Sequence, residues 1–199
     1  MNAMVLKRDF YLRSVQEVAR DLLGKQLVRL SGKQKISGYI IETEAYDGEK
    51  DEACHAHSGK TERNKVMYGP GGHAYIYFTY GMHWMLNCVV EESGYPAAVL
   101  IRSIQPVNGL DFIRERRKPI PQDHWTDGPA KLTKALDITG ELNGVDLCSK
   151  NGGLYIEDGW TIPEGQVYTS PRIGIQYAPE PWKSKEWRFY TEYLNGEEG

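Results

Sequence analysis

Hydrophobic positions along the chain recur with two periods. Ser14-Val-Gln-Glu17 has the form of a capping box, and Val15, Val18, Ala19, Leu22 and Leu23 repeat at helical spacing as far as Gly24, which predicts a short amphipathic helix. Beyond it the period falls to two. Residues 25–30 and 36–46 alternate as strands joined by a Ser-Gly turn, a hairpin. On the second strand the alternation places Glu42, Glu44 and Tyr46 on one face and Ile41, Thr43 and Ala45 on the other. Residues 74–80, 83–90 and 97–104 predict three more strands, and the unbroken apolar run Ala97 to Ile101 predicts burial on both faces. Helices are expected over 110–118 and, opened by Gly128-Pro129, over 130–138. Short strands and turns fill 140–168, Pro-Arg-Ile-Gly-Ile-Gln-Tyr predicts a strand over 170–177, Trp187 to Tyr190 packs near the end, and Leu194 to Gly199 frays.

Composition narrows this picture. A chain of 199 residues builds one domain with a proper core, and 21 glycines with 11% aromatic residues favour strands and tight turns over a helical bundle. No apolar run reaches the ~20 residues that cross a bilayer, so no membrane association is expected. The N-terminus lacks the layout of a signal peptide, which points to a cytoplasmic protein. Cys54, Cys88 and Cys148 are too scattered for a disulfide framework or a CxxC zinc pattern. A formal charge of −3 does not announce a nucleic-acid ligand, but a local basic face does that work whatever the net charge.

Chemistry concentrates between Ile40 and Asn87. Residues 47–72 are polar and turn-rich, and so long a loop in a compact domain is usually functional. Glu42 and Glu44 fit either a solvated strand face or a partly desolvated base beside Tyr46, and the residues leave these two readings evenly balanced. Cys54, His55 and His57 invite a metal, yet C-H-x-H is not a zinc spacing and no second cluster completes it, so a pocket wall or loop anchor is the better reading. Each of Tyr75, Tyr77 and Tyr80 suits a core, but Tyr77 and Tyr80 have opposite parity, so at least one does something else, such as stacking on a ligand. Gly69-Pro70-Gly71-Gly72 lacks the P-loop pattern and serves as a tight turn. Arg102 follows a buried run directly, where a charge needs a partner or a task. Arg114, Arg116, Arg117 and Lys118 form the most basic patch, with Lys131 and Lys134 beyond it.

The spacing of these residues is specific in combination. ETEAY-x-G at Glu42 to Gly48 precedes D-x-A-x-H at Asp51 to His55, T-x-R-N-x-x-M at Thr61 to Met67, and G-x-x-Y-x-Y-x-x-Y-G-M at Gly72 to Met82. Leu86-Asn87, L-I-R at Leu100 to Arg102, G-P-A-K-L-T-x-A-L at Gly128 to Leu136 and P-R-I-G-I at Pro171 to Ile175 follow in order. Together they resemble the 3-methyladenine (alkyladenine) DNA glycosylase family, the monofunctional type typified by the mammalian enzyme, over most of the chain.

That resemblance implies a mixed α+β fold, a single domain spanning 1–199 with a curved, mainly antiparallel sheet flanked by helices. It implies no cofactor and no metal. The partner would be double-stranded DNA containing a damaged purine, met by a monomer through the minor groove. Glu44 would be the base that activates water, with Arg102 and the Ile175 backbone helping to hold that water. Tyr46, His55 and Tyr77 would sandwich the flipped base, Asn87 would crowd the exocyclic amine of guanine, and Tyr80 would enter the duplex. Met82, His83, Arg114, Arg116 and Lys131 are the candidates for the DNA backbone.

The pattern is not followed throughout. After Ile175 the chain has Gln-Tyr-Ala-Pro where the mammalian pattern has Gly-His, which alters a pocket edge and puts lesion range in question. Two other classes fit parts of the chain: a binding module without catalysis, and a small-molecule hydrolase with a metal at Cys54, His55 and His57. The first has no reason to keep Glu44 and Arg102 together.

Overall fold

The structure, a computed structural model, describes residues 3–192. Among these residues four α-helices and eight strands are formed: α1 (Arg8–Tyr11), α2 (Val15–Asp21), β1 (Gln26–Ser31), β2 (Gln34–Tyr46), β3 (Ala74–Thr79), β4 (His83–Val90), β5 (Ala97–Asn108), α3 (Leu110–Arg117), α4 (Pro129–Leu136), β6 (Leu154–Glu157), β7 (Tyr168–Ser170) and β8 (Arg188–Tyr190). The fold is mixed α+β, and every strand pairing is antiparallel. The sheet runs β3-β4-β5-β2-β1-β6, with β8 joining β2 to β7, and does not close.

Strand β2 is the spine. One edge pairs with β5 from Ser37 to Tyr46, while the other is shared between β1 (Gln34 to Tyr39) and β8 (Glu42 to Glu44). The pleat then separates two environments. Ala45, Ile76, Leu86, Cys88, Val99 and Ile101 belong to the main core, together with Val15, Val18 and Ala19 of α2, Leu22 just after it, and Ile113, Leu132 and Leu136 of the later helices. Thr43 points the same way and bonds the Ala19 carbonyl through its hydroxyl (2.7 Å). Their alternating neighbours Glu44, Tyr46, Leu100, Asn87, Tyr75 and Tyr77 occupy the opposite face. Registers between β2 and β5 shift on both sides of Glu42, a pair of irregularities that lets Arg102 aim at the same carboxylates.

Several expectations need correction. Ser14 does not cap α2 with its side chain; its hydroxyl goes to the Glu17 carboxylate, and the Val15 N–H is taken instead by Glu91 Oε1 from across the fold (3.2 Å). Strand β5 continues past Ile104 to Asn108, through Pro106. Residues 171–178 form no strand: Pro171 offers no N–H, and Gly174 sits at φ +83°. The chain turns there into the space above β2, and the strands of this region are β7 and β8. The fraying expected over Leu194 to Gly199 lies outside the described residues. Among the described residues no helix is long and apolar enough to cross a membrane.

Candidate active site

Glu44 is completely buried, although it belongs to the strand face that opens on a cavity. The solvated-face reading therefore does not apply to it. Its Oε2 accepts from the Tyr46 hydroxyl (2.9 Å) and from Arg102 Nη1 (3.3 Å), and its Oε1 accepts from the Ile173 backbone N–H (2.7 Å). Burial raises the carboxyl above the ordinary glutamate value, while Arg102, the Ile173 N–H and the Tyr46 O–H pull it back. Glu42, two residues earlier, is a different kind of acid. It receives Arg102 Nε (2.9 Å) and Arg188 Nε, and serves to hold the guanidinium that faces Glu44.

A cavity of about 380 Å³, within the ~300–1,000 Å³ of small-molecule sites, is lined by the three residues that hold this carboxylate: Tyr46, Arg102 and Ile173. Tyr46, His55, Tyr77, Asn87, Arg102 and Ile175 all line it, so the structure gathers residues drawn from six stretches of sequence. His55 and Tyr77 meet edge-on, with ring centroids 4.5 Å apart. The imidazole Nδ1 lies 3.1 Å from the Tyr75 hydroxyl. His55 faces the open cavity, yet desolvation and the Arg63 cation push its imidazole down to about 4, so it is neutral at pH 7. Asn87 is buried on the cavity wall, where its side-chain amide donates to the Tyr75 carbonyl (3.0 Å). The Ile175 carbonyl accepts the Ala178 N–H (2.9 Å), which ties down the turn carrying it.

Tyr80 stands at the rim. Strand β3 ends one residue before it, and Tyr80-Gly81 occupy the turn into β4 with φ of +52° and +66°, closed by Met82 N–H to the Thr79 carbonyl (3.1 Å). The turn throws the tyrosine outward, 82% exposed, beside exposed Met82 and His83. The three basic candidates turn to partners within the chain. Arg114 pairs with Asp111 (2.7 Å), Arg116 reaches the Ala135 carbonyl and Gln34, and Lys131 pairs with Asp127 (2.9 Å).

Residues that the sequence reading passed over hold this site together. Arg172 and Asp51 are buried without exposure and form a two-pronged ion pair although 121 residues apart in sequence. Arg172 also donates to the Ala45 carbonyl (2.9 Å) and the Trp182 carbonyl (3.2 Å), and its guanidinium lies over the rings of Tyr46 and Trp187. Asp51 accepts the N–H groups of Asp47 and Ala53 as well. One pair thus joins β2, the 47–72 loop that carries His55 and the segment that offers Ile173 to Glu44. Both residues stand within quoted motifs, but an ion pair closed by distant segments leaves no local signature. Tyr177, 71% exposed, lines the cavity and donates its hydroxyl to the Ala53 carbonyl (3.2 Å).

Cys54, His55 and His57 do not converge. The thiol is buried and pushed up to about 12 by desolvation, and His57 Nδ1 sits against the Glu49 carbonyl. Among the described residues no three His, Cys, Asp or Glu side chains are grouped to hold a metal.

A buried carboxylate held by a tyrosine, an arginine and a backbone N–H, whose residues line a cavity together with a histidine and further tyrosines, meets a matching comparison. A profile of the methylpurine-DNA glycosylase family matches residues 9–194. The chain belongs to that family. It is 50% identical over 189 residues to a protein of Methanocella arvoryzae, covering 94% of this chain and 92% of the relative. Relatives from Carboxydothermus hydrogenoformans (47% identical, 95% and 96% covered) and Chlorobaculum parvum (46%, 89% and 85%) resemble it as well. All three carry the provisional name 3-methyladenine DNA glycosylase.

Proposed function

We propose that this methylpurine-DNA glycosylase family member is a monofunctional N-glycosylase of base excision repair. A damaged purine nucleotide is turned out of double-stranded DNA into the cavity, and its N-glycosidic bond is hydrolysed by a water that Glu44 activates. The observation that carries this is the buried Glu44 carboxylate, held by three residues that line the cavity, Tyr46, Arg102 and Ile173 through its backbone N–H.

Extrusion costs a few kcal/mol, least at a damaged or mispaired base, so selection begins before chemistry. Tyr80, already presented outward, fills the space the base leaves and bends the duplex. Tyr46, His55 and Tyr77 stack around the base, and Asn87 crowds the amine that guanine carries. Cleavage develops positive charge on the sugar. A carboxylate that holds water on the far face follows the logic of inverting glycoside hydrolysis, and its charge lies near the forming cation. Arg102 and the Ile175 backbone position that water. An alkylated base such as 3-methyladenine is cationic in the nucleotide and leaves as the neutral base, whereas ethenoadenine and hypoxanthine need a proton to leave; the class of substrate is alkylated or deaminated purines of these three kinds.

Duplex oligonucleotides carrying each of these lesions, incubated with the protein and EDTA, test the proposal. Free base with an unbroken strand is the expected product. Strand scission without alkali rules out the monofunctional assignment, and binding without release of any base favours a catalytically silent binding module.

A further inference from the structure

Arginines surround this site, and one differs from the rest. Arg102 and Arg188 share Glu42, and Arg172 is closed on Asp51. Arg63 lines the same cavity but makes no ion pair among the described residues. It is exposed, yet not loose. Its guanidinium lies over the Tyr77 ring, 5.0 Å from the centroid, with Nη2 at the limit of a hydrogen bond to the Phe78 carbonyl (3.5 Å). The backbone beneath it is fixed by buried Asn64, which accepts the Thr61 N–H (2.6 Å) and donates to the carbonyls of His55 and Gly59 (3.0 and 2.9 Å). A fixed cation on the cavity wall, close to the strand end that leads to Tyr80, calls for an anion brought by the ligand. In water alone an unpaired arginine gains nothing from being held in one place, whereas a phosphate takes both its charge and its forked donors.

We propose that Arg63 binds the DNA phosphate beside the flipped nucleotide, a contact made only once the nucleotide has entered the cavity. The proposal rests on the base-flipping reading above. Arg63 then marks the path of the lesion strand between cavity and rim.

Salt dependence tests it. Affinity for a duplex carrying one 1,N6-ethenoadenine, and for the undamaged duplex, is measured against salt in a Glu44→Gln background, where the lesion persists. Loss of one phosphate contact lowers the slope of log K against log salt by about 0.9. Arg63→Gln is expected to lose that much on the lesion duplex and much less on undamaged DNA, with Arg63→Lys restoring most of the slope. Melting temperature is expected to stay at the parent value, because the side chain is exposed. An unchanged slope on the lesion duplex overturns the proposal, and so does an equal loss on both duplexes. A salt-independent loss of affinity overturns it too, since Arg63 would then act by packing on Tyr77. If the protein with Glu44 intact releases no base and binds both duplexes alike, the underlying reading fails, and that result is visible before any Arg63 variant is made.

Discussion

The Asp51–Arg172 pair makes the sharpest structural prediction. Neither side chain is exposed, so Asp51→Asn leaves a guanidinium without its counter-charge in a place water does not reach. Breaking a buried pair from one side costs about 3–5 kcal/mol. In a domain of this size each kcal/mol moves Tm by ~2–4 °C, so the variant should melt roughly 6–20 °C below the parent. Asp21→Asn, which breaks the half-exposed pair with Arg13, is the internal control and should cost ~0–1 kcal/mol. A double replacement, Asp51→Leu with Arg172→Met, should regain part of the loss but not all. The charges are gone, yet the Ala45 and Trp182 carbonyls lose their donor. Thermal melts followed by circular dichroism supply the numbers. Because Arg172 adjoins Ile173, base release at saturating DNA should fall alongside stability. A Tm for Asp51→Asn equal to that of Asp21→Asn would show that water reaches the pair and that it does not bind the three segments together.

Other consequences concern specificity, pH and the wedge. Tyr177→Ala opens the cavity edge and cuts the link to Ala53, so single-turnover release of the larger ethenoadenine should gain on hypoxanthine; an unchanged ratio removes Tyr177 from lesion choice. Glu44 must be ionised to activate water and its carboxyl is raised by burial, so the rate should drop on acidification at a pH above the ordinary glutamate range. The folded-state value exceeds the unfolded one, so the carboxylate opposes stability at neutral pH and Glu44→Gln should not lower Tm at pH 7. A lower Tm would place the hydrogen bonds above the desolvation. His55, held down to about 4, is the reverse case for a base: the unfolded chain takes up its proton first, so its effect is a loss of stability as pH falls below the ordinary histidine range towards 4. Proton NMR should show its ring neutral down to that region. Tyr80→Ala should slow release from a paired lesion more than from the same lesion in single-stranded DNA, where no gap needs filling.

How far the chain was legible from its residues depends on the range of each interaction. The period-two alternation along β2 placed Glu44 and Tyr46 on one face because strand parity is local, and the structure keeps them there. Pro129 opens α4 as expected, for its fixed φ and missing N–H suit that position. Of the segment read as a strand over 170–177 only Ser170 is in one, at the end of β7; the rest turns, since Ile173 and Ile175 are spent on the cavity rather than on a sheet. Asp51 and Arg172 went unassigned because their meaning lies in a partner far along the chain. The basic run at Arg114 to Lys118 is a charge cluster in sequence whose members meet separate intramolecular partners in the fold, which sequence spacing does not reveal.

The central claim is that Glu44 acts in the chemical step. Single-turnover release of a lesion base from duplex DNA, compared between the parent protein and Glu44→Gln at saturating protein, tests it most directly. The account predicts a rate lower by ~10²–10⁴, the usual contribution of a general base, with DNA affinity retained. Release by Glu44→Gln at the parent rate would contradict it, and the water would have to be activated elsewhere in the cavity.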